Sequence, residues 1–171
     1  MKKKFFIFLT LSLFFGAALQ IDFQRFTGNK GGDCPFCRKE LLDAQVFYRG
    51  DQVLGLLTHK PAVPGHVLII PERHVERFEE LTDGEWVALS NAIKKIDVAV
   101  RTTFGTKDYV LIQKNGREAG QAVPHVHFHY LPGTKFLAFR FLLSSWLKPL
   151  KAEEIKLLKE TLSESINSLI T

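Results

Sequence analysis

The chain has 171 residues, 46% of them apolar, and a formal charge of +5, which is room for one domain of ordinary size with its own core and too little for two. Three of the positive charges are Lys2, Lys3 and Lys4, so the remainder carries only +2 and contains no other basic block. A nucleic-acid footprint needs clustered Lys and Arg, and nucleic acid is excluded as a partner of the folded part.

Lys2 to Lys4 open onto an apolar run over residues 5–19, with the small residues Gly16, Ala17 and Ala18 near its end. Charge, apolar stretch and small residues in that order are the plan of a secretory signal. Residues 1–19 are therefore expected to export the protein or anchor it, with membrane contact through 5–19. The run is shorter than the roughly twenty residues of a spanning helix, and no Cys follows it to carry a lipid. Residues 20–33, polar and with Gly28, Gly31 and Gly32, read as a linker. One domain is expected over 34–171.

Residues 45–48 and 53–57 read as two strands joined at Arg49-Gly50-Asp51, and 67–70, bracketed by Pro64-Gly65 and Pro71, as a third. Thr82-Asp83-Gly84-Glu85 is a capping box, and Trp86, Leu89, Ile93, Ile96 and Val100 recur at helical spacing toward a stop at Gly105. Strands are expected again over 109–113 and 126–131, with a loop from Asn115 to Gly120 between them. A last helix carries Ile155, Leu158, Leu162, Ile166 and Leu169 on one face. The very apolar stretch 136–147 takes no clear element. Hairpin-linked strands with one long central helix and one C-terminal helix make an α+β domain, an antiparallel sheet covered on one face.

Four groups of residues carry chemistry. In Pro124-His125-Val126-His127-Phe128-His129-Tyr130 the histidines alternate, so on a strand they share one side while Val126, Phe128 and Tyr130 share the other. Half of the six histidines stand here, a row suited to nucleophilic catalysis, acid–base catalysis or metal binding. Cys34-Pro35-Phe36-Cys37 admits a redox-active thiol pair, two reduced core cysteines, or half of a zinc site that needs two further ligands. His66, at the start of the third strand, is placed to reach the row, and His74 follows that strand. Gly120 and Gln121, just ahead of the row, form with Ala122 and Val123 a candidate phosphate cradle of backbone amides.

Residues 34–131 resemble the histidine triad nucleotide hydrolases and transferases, above all in Glu118-Ala119-Gly120-Gln121-Ala122-Val123-Pro124-His125-Val126-His127-Phe128-His129. The segment 60–81 is similar to the branch that splits dinucleoside polyphosphates. The cysteine pair resembles the bacterial and phosphoramidase-like branch, some of whose members bind structural zinc. The resemblance implies that His127 attacks an α-phosphate to form a nucleotidyl-histidine, and that water then releases a nucleoside monophosphate. It implies that His129 binds the phosphate and helps protonate the leaving group, with His66 supporting the row. It also implies zinc on Cys34, Cys37, His74 and His125, no metal in catalysis, a homodimer and, for most relatives, a cytoplasmic location. Nucleotide contacts fall on Thr58, Lys114, Gly120, Gln121, Ala122, Val123 and His129. Three of these depart from the pattern. Thr58 stands where Asn or Asp is common, Lys114 where Asn or Gln is usual, and Ala122 lacks the usual hydroxyl. The other readings are a nucleotide-binding module with weak or no catalysis and a metal-dependent hydrolase in which the three strand histidines are the ligands.

Overall fold

The structure is a computed structural model and describes residues 34–133 and 148–169. The signal-like segment 1–19, the linker 20–33 and the stretch 136–147 lie outside the described residues. The expected location, export or anchoring through residues 1–19, is corrected. Among the described residues no helix is long and apolar enough to cross a membrane, and that expectation is withdrawn.

Five described strands form one sheet: β1 (Val46–Gly50), β2 (Val53–Leu57), β3 (Val67–Pro71), β4 (Tyr109–Gln113) and β5 (Phe128–Pro132). Their order is β1-β2-β3-β5-β4, and every neighbouring pair is antiparallel. Gly50 pairs with Val53, so Asp51 and Gln52 make the first turn, with Gln52 at φ 56°. Three helices are described: α1 (Lys39–Gln45), α2 (Asp83–Phe104) and α3 (Ala152–Asn167). The α+β reading holds.

Alternation along β2, β3 and β5 divides the side chains between two faces. Val53, Leu57, Val67, Ile69, Phe128 and Tyr130 join Leu89, Ala92, Ile96, Ala99 and Val100 of α2 and Leu162 and Ile166 of α3 in the main core. The capping box forms as expected. Thr82 Oγ1 accepts from the Glu85 amide at 3.2 Å, and Glu85 Oε2 accepts from the Thr82 amide at 2.9 Å. Gly105 ends α2 in the left-handed conformation, φ 64°, which a residue with a Cβ adopts only at a cost. Tyr130 of β5 donates to Asp97 of α2 at 2.6 Å, tying the histidine strand to the helix.

Two features differ from expectation. The sheet is covered on both faces at its centre, because Leu54, Leu56, Leu68 and Ile70 form a second cluster with Phe36. Leu41 and Leu42 of α1, a helix too short to show a period, pack against that cluster. Trp86 is not in the core stripe of α2; it is 45% exposed and meets Phe78 and Phe128 edge-on or tilted at the rim.

Candidate active site and metal centre

The histidine row does not lie wholly on a strand. Only His129 is in β5, while His125 sits in a bend and His127 in the extended approach. The reason is local: the His125 amide donates to Val123 O at 2.8 Å and the Val126 amide to Val75 O at 2.6 Å, so both are engaged outside the ladder. The alternation nevertheless survives. Val126, Phe128 and Tyr130 enter the main core, and Phe36 from the opposite cluster meets both His125 and His127 edge-on, with ring centroids 5.8 and 5.5 Å away.

Hydrogen bonds to the backbone settle which ring nitrogen carries each proton. A carbonyl only accepts, so His127 donates through Nδ1 to His125 O at 2.7 Å, which leaves Nε2 as the lone-pair nitrogen. The Ala62 amide donates to His66 Nδ1 at 3.0 Å. The proton of His66 is thus on Nε2, which donates a hydrogen bond to His129 Nδ1, also at 3.0 Å. His129 consequently keeps its own proton on Nε2. The rings of His127 and His129 are 5.0 Å apart, centroid to centroid.

Burial makes these three neutral bases. It lowers His66 to about 4, with His127 adding a smaller repulsion. It lowers His129 to about 2, aided by His127, His66 and Lys114. His127 also moves down by burial, against the raising effect of the bond to His125 O. A neutral nucleophile and a neutral donor are what a row of this kind needs to attack an electrophile without first losing a proton.

His125 turns away from this pair. Its Nδ1 lies 3.5 Å from Cys34 Sγ and 3.7 Å from Cys37 Sγ, and His74 Nδ1 lies 3.5 Å from Cys37 Sγ. All four donor atoms fall within 4.8 Å of one another, a group that could hold a metal ion. Each histidine presents Nδ1 inward and has an oxygen at Nε2. For His125 it is Pro71 O at 2.9 Å, and for His74 it is Glu76 Oε1 at 3.6 Å. Such outer oxygens orient ligand imidazoles. Burial pushes the Cys34 thiol up to about 11, opposite to the shift a redox-active thiol requires. A metal site made from His125, His127 and His129 is not what the fold brings together.

The expected nucleotide contacts take varied positions. Leu57 pairs with Val67, so Thr58 stands one step beyond, opposite His66 at the end of the ladder. Gln113 pairs with Phe128, so Lys114 likewise stands opposite His127. The Lys114 ammonium lies 3.4 Å from where a Cβ on Gly120 would be, over a backbone at φ 79°. Gln121 braces the loop from within. Its Oε1 accepts from the Gly116 amide at 2.6 Å, and its Nε2 donates to Glu76 O at 2.9 Å. The amides of Gly120 and Gln121 donate to Arg117 O and Gly116 O, so the cradle expected over 120–123 narrows to the amides of Ala122 and Val123. Phe36, Pro71 O, the Ala62 amide and His125 O were not anticipated. Of these only Phe36, inside the cysteine motif, had a signal in the sequence.

Three comparisons complete the picture. A family described as HIT domain matches residues 39–136. A bis(5'-nucleosyl)-tetraphosphatase of Schizosaccharomyces pombe is 38% identical over 92 residues, 54% of this chain and 50% of that protein, so the chain spans about half of that relative's length. An adenosine 5'-monophosphoramidase of the same organism is 35% identical over 136 residues, 78% of this chain and 98% of that protein. The crystal structure of a hypothetical histidine triad nucleotide-binding protein from Sulfolobus tokodaii superposes with a TM-score of 0.65 at 25% identity, covering 80% of this chain and 93% of that one.

Proposed function

The chain belongs to the histidine triad (HIT) family, and from that premise we propose that it is a nucleotide hydrolase or nucleotidyl transferase acting at the α-phosphate of a nucleotide derivative through His127. The observation that carries this reading is the bond from His127 Nδ1 to the His125 carbonyl, 2.7 Å long in a buried site. It leaves the lone pair on Nε2 as the nucleophile, while burial keeps the imidazole neutral. Nε2 forms a bond to the α-phosphorus while the bond to the leaving group breaks. Water then cleaves the nucleotidyl-histidine and releases a nucleoside monophosphate, so one hard displacement becomes two easier ones. His129 donates its Nε2 proton as a hydrogen bond to a phosphate oxygen, and His66 fixes that tautomer. The amides of Ala122 and Val123 meet developing charge, and Thr58 and Lys114 flank the nucleotide. The unit that performs this chemistry is the single domain 34–171.

Cys34, Cys37, His74 and His125 would hold zinc. Two sulfurs and two nitrogens at zinc–ligand lengths of about 2.3 and 2.0–2.1 Å put tetrahedral S···N edges at about 3.5 Å, and the observed edges are 3.5, 3.5 and 3.7 Å. The metal supplies closure of the N-terminal knuckle onto the sheet and takes no part in the displacement. Elemental analysis of the purified protein reads one zinc per chain on this account, and a Cys34→Ser, Cys37→Ser protein reads none.

A homodimer that joins two sheets fits the exposed edge of β4, where Tyr109 is 42% and Leu111 39% exposed. Light scattering after size exclusion gives twice the chain mass, and Leu111→Lys shifts it toward the monomer.

The enzymatic reading is tested by incubating the protein with adenylated substrates and searching by mass spectrometry for a phosphate-linked nucleotide. The adduct and monophosphate release are expected from the native chain and absent from His127→Ala. Failure to find either with any substrate favours a binding module without catalysis.

A further inference from the structure

The departure at Lys114 bears on the leaving group. Lys114 follows the last pair of the β4–β5 ladder, Gln113 with Phe128, and therefore faces His127 across the strand ends, where opposed residues of an antiparallel pair share a face. Its ammonium reaches over Gly120, 3.4 Å from the Cβ position, with Cδ at 3.7 and Cε at 3.9 Å along the same loop. The charge is thus held over the turn into the phosphate loop, close enough to His127 and His129 to disfavour a proton on either.

The histidines around it offer no proton of the acidic kind. His66 Nδ1 accepts from the Ala62 amide, so His66 must donate through Nε2, and His129 Nδ1 must accept. That chain of bonds exists only while His129 is neutral, and a neutral imidazole donates a hydrogen bond without surrendering its proton. A leaving amine must be protonated to depart. A leaving phosphate departs as an anion and needs only a positive charge beside it.

Resting on the hydrolase reading, we propose that Lys114 is the specificity-determining residue of this site, selecting substrates whose leaving group is itself a phosphate chain over phosphoramidates. When His127 Nε2 bonds to the α-phosphorus, the bond from phosphorus to the bridging oxygen breaks and its electron pair stays on that oxygen. The departing chain meets the Lys114 ammonium, and no proton is transferred.

The test measures kcat/KM for diadenosine tetraphosphate and for adenosine 5'-phosphoramidate in the native protein and in Lys114→Met, Lys114→Gln and Lys114→Arg, with a melting curve for each. A hydrogen bond to a charged group corresponds to a change of about ten- to a hundredfold. The expected result is that Met and Gln lower the tetraphosphate-to-phosphoramidate ratio by about tenfold or more, that Arg restores most of it, and that added salt lowers the native ratio but not that of the Met protein. A ratio unchanged by Met and Gln overturns the proposal while the hydrolase reading stands. Absence of His127-dependent turnover on either substrate overturns both.

Discussion

His127 and His125 are joined by a hydrogen bond between a side chain and a main chain two positions back, so the ring of the proposed nucleophile is oriented by a group that no side-chain substitution can remove. His129 is different, because its tautomer depends on the side chain of His66. Replacing His66 by Ala leaves His129 able to place its proton on either nitrogen. The expected effect is a fall in kcat of about ten- to a hundredfold, within the range of a lost acid–base or orienting group, with a smaller change in KM. Equal falls in kcat for His66→Ala and His127→Ala would contradict the division of roles. At this scale the sequence was legible where side chains do the chemistry. The alternation marked His125, His127 and His129, and the cysteine spacing marked the knuckle. It was silent on His125 O, Pro71 O and the Ala62 amide, because backbone groups are the same in every residue. Gln121 was read as a nucleotide contact, yet its side chain is turned into the loop it braces.

Among the elements, α2 is the most explicit in the sequence and the most consequential for the site. Its capping box closes on Glu85, which Arg73 also holds by two bonds of 2.8 Å. Thr82→Ala removes one half of the box and is expected to cost about 1 kcal/mol by chemical denaturation. Gly65 ends the approach to β3 at φ 79°, and a Cβ there would lie 2.8 Å from both Phe104 and Pro132. Gly65→Ala therefore combines backbone strain with a clash between α2 and β5, and is expected to lower the melting temperature more than Thr82→Ala does. β5 was expected from Val126 and begins at Phe128, since a bend that serves two sites overrides the period of two. α1 escaped notice because seven residues hold too few turns to display a face.

For the molecule as a whole, the neutral histidines make stability depend on pH. In the folded chain His66 sits at about 4 and His129 at about 2, against an ordinary 6.5. As pH falls below 6.5 the unfolded chain takes up protons that the native one refuses, so this stabilisation is complete above 6.5 and is lost progressively toward 4 for His66 and toward 2 for His129. Glu85, held by Arg73 at about 2 against 4.5, loses its contribution only lower, as pH falls from 4.5. The melting temperature is therefore expected to drop between pH 6.5 and 4.5, before that carboxylate is protonated, and to drop less in His66→Asn; a flat curve over that window would refute it. The fold class, the strand order's hairpins and the covered face were legible from periodicity. The second covered face was not, because Phe36 and the short α1 that cover it show no period of their own. Cys34 meets His125 across a separation of 91 residues, and this fixes a chronology of biosynthesis. The cysteines leave the ribosome early and must wait, and the last metal donor emerges only two residues ahead of His127. The donor set is complete just before the proposed nucleophile emerges, so metal capture would come only as the proposed catalytic row is being finished.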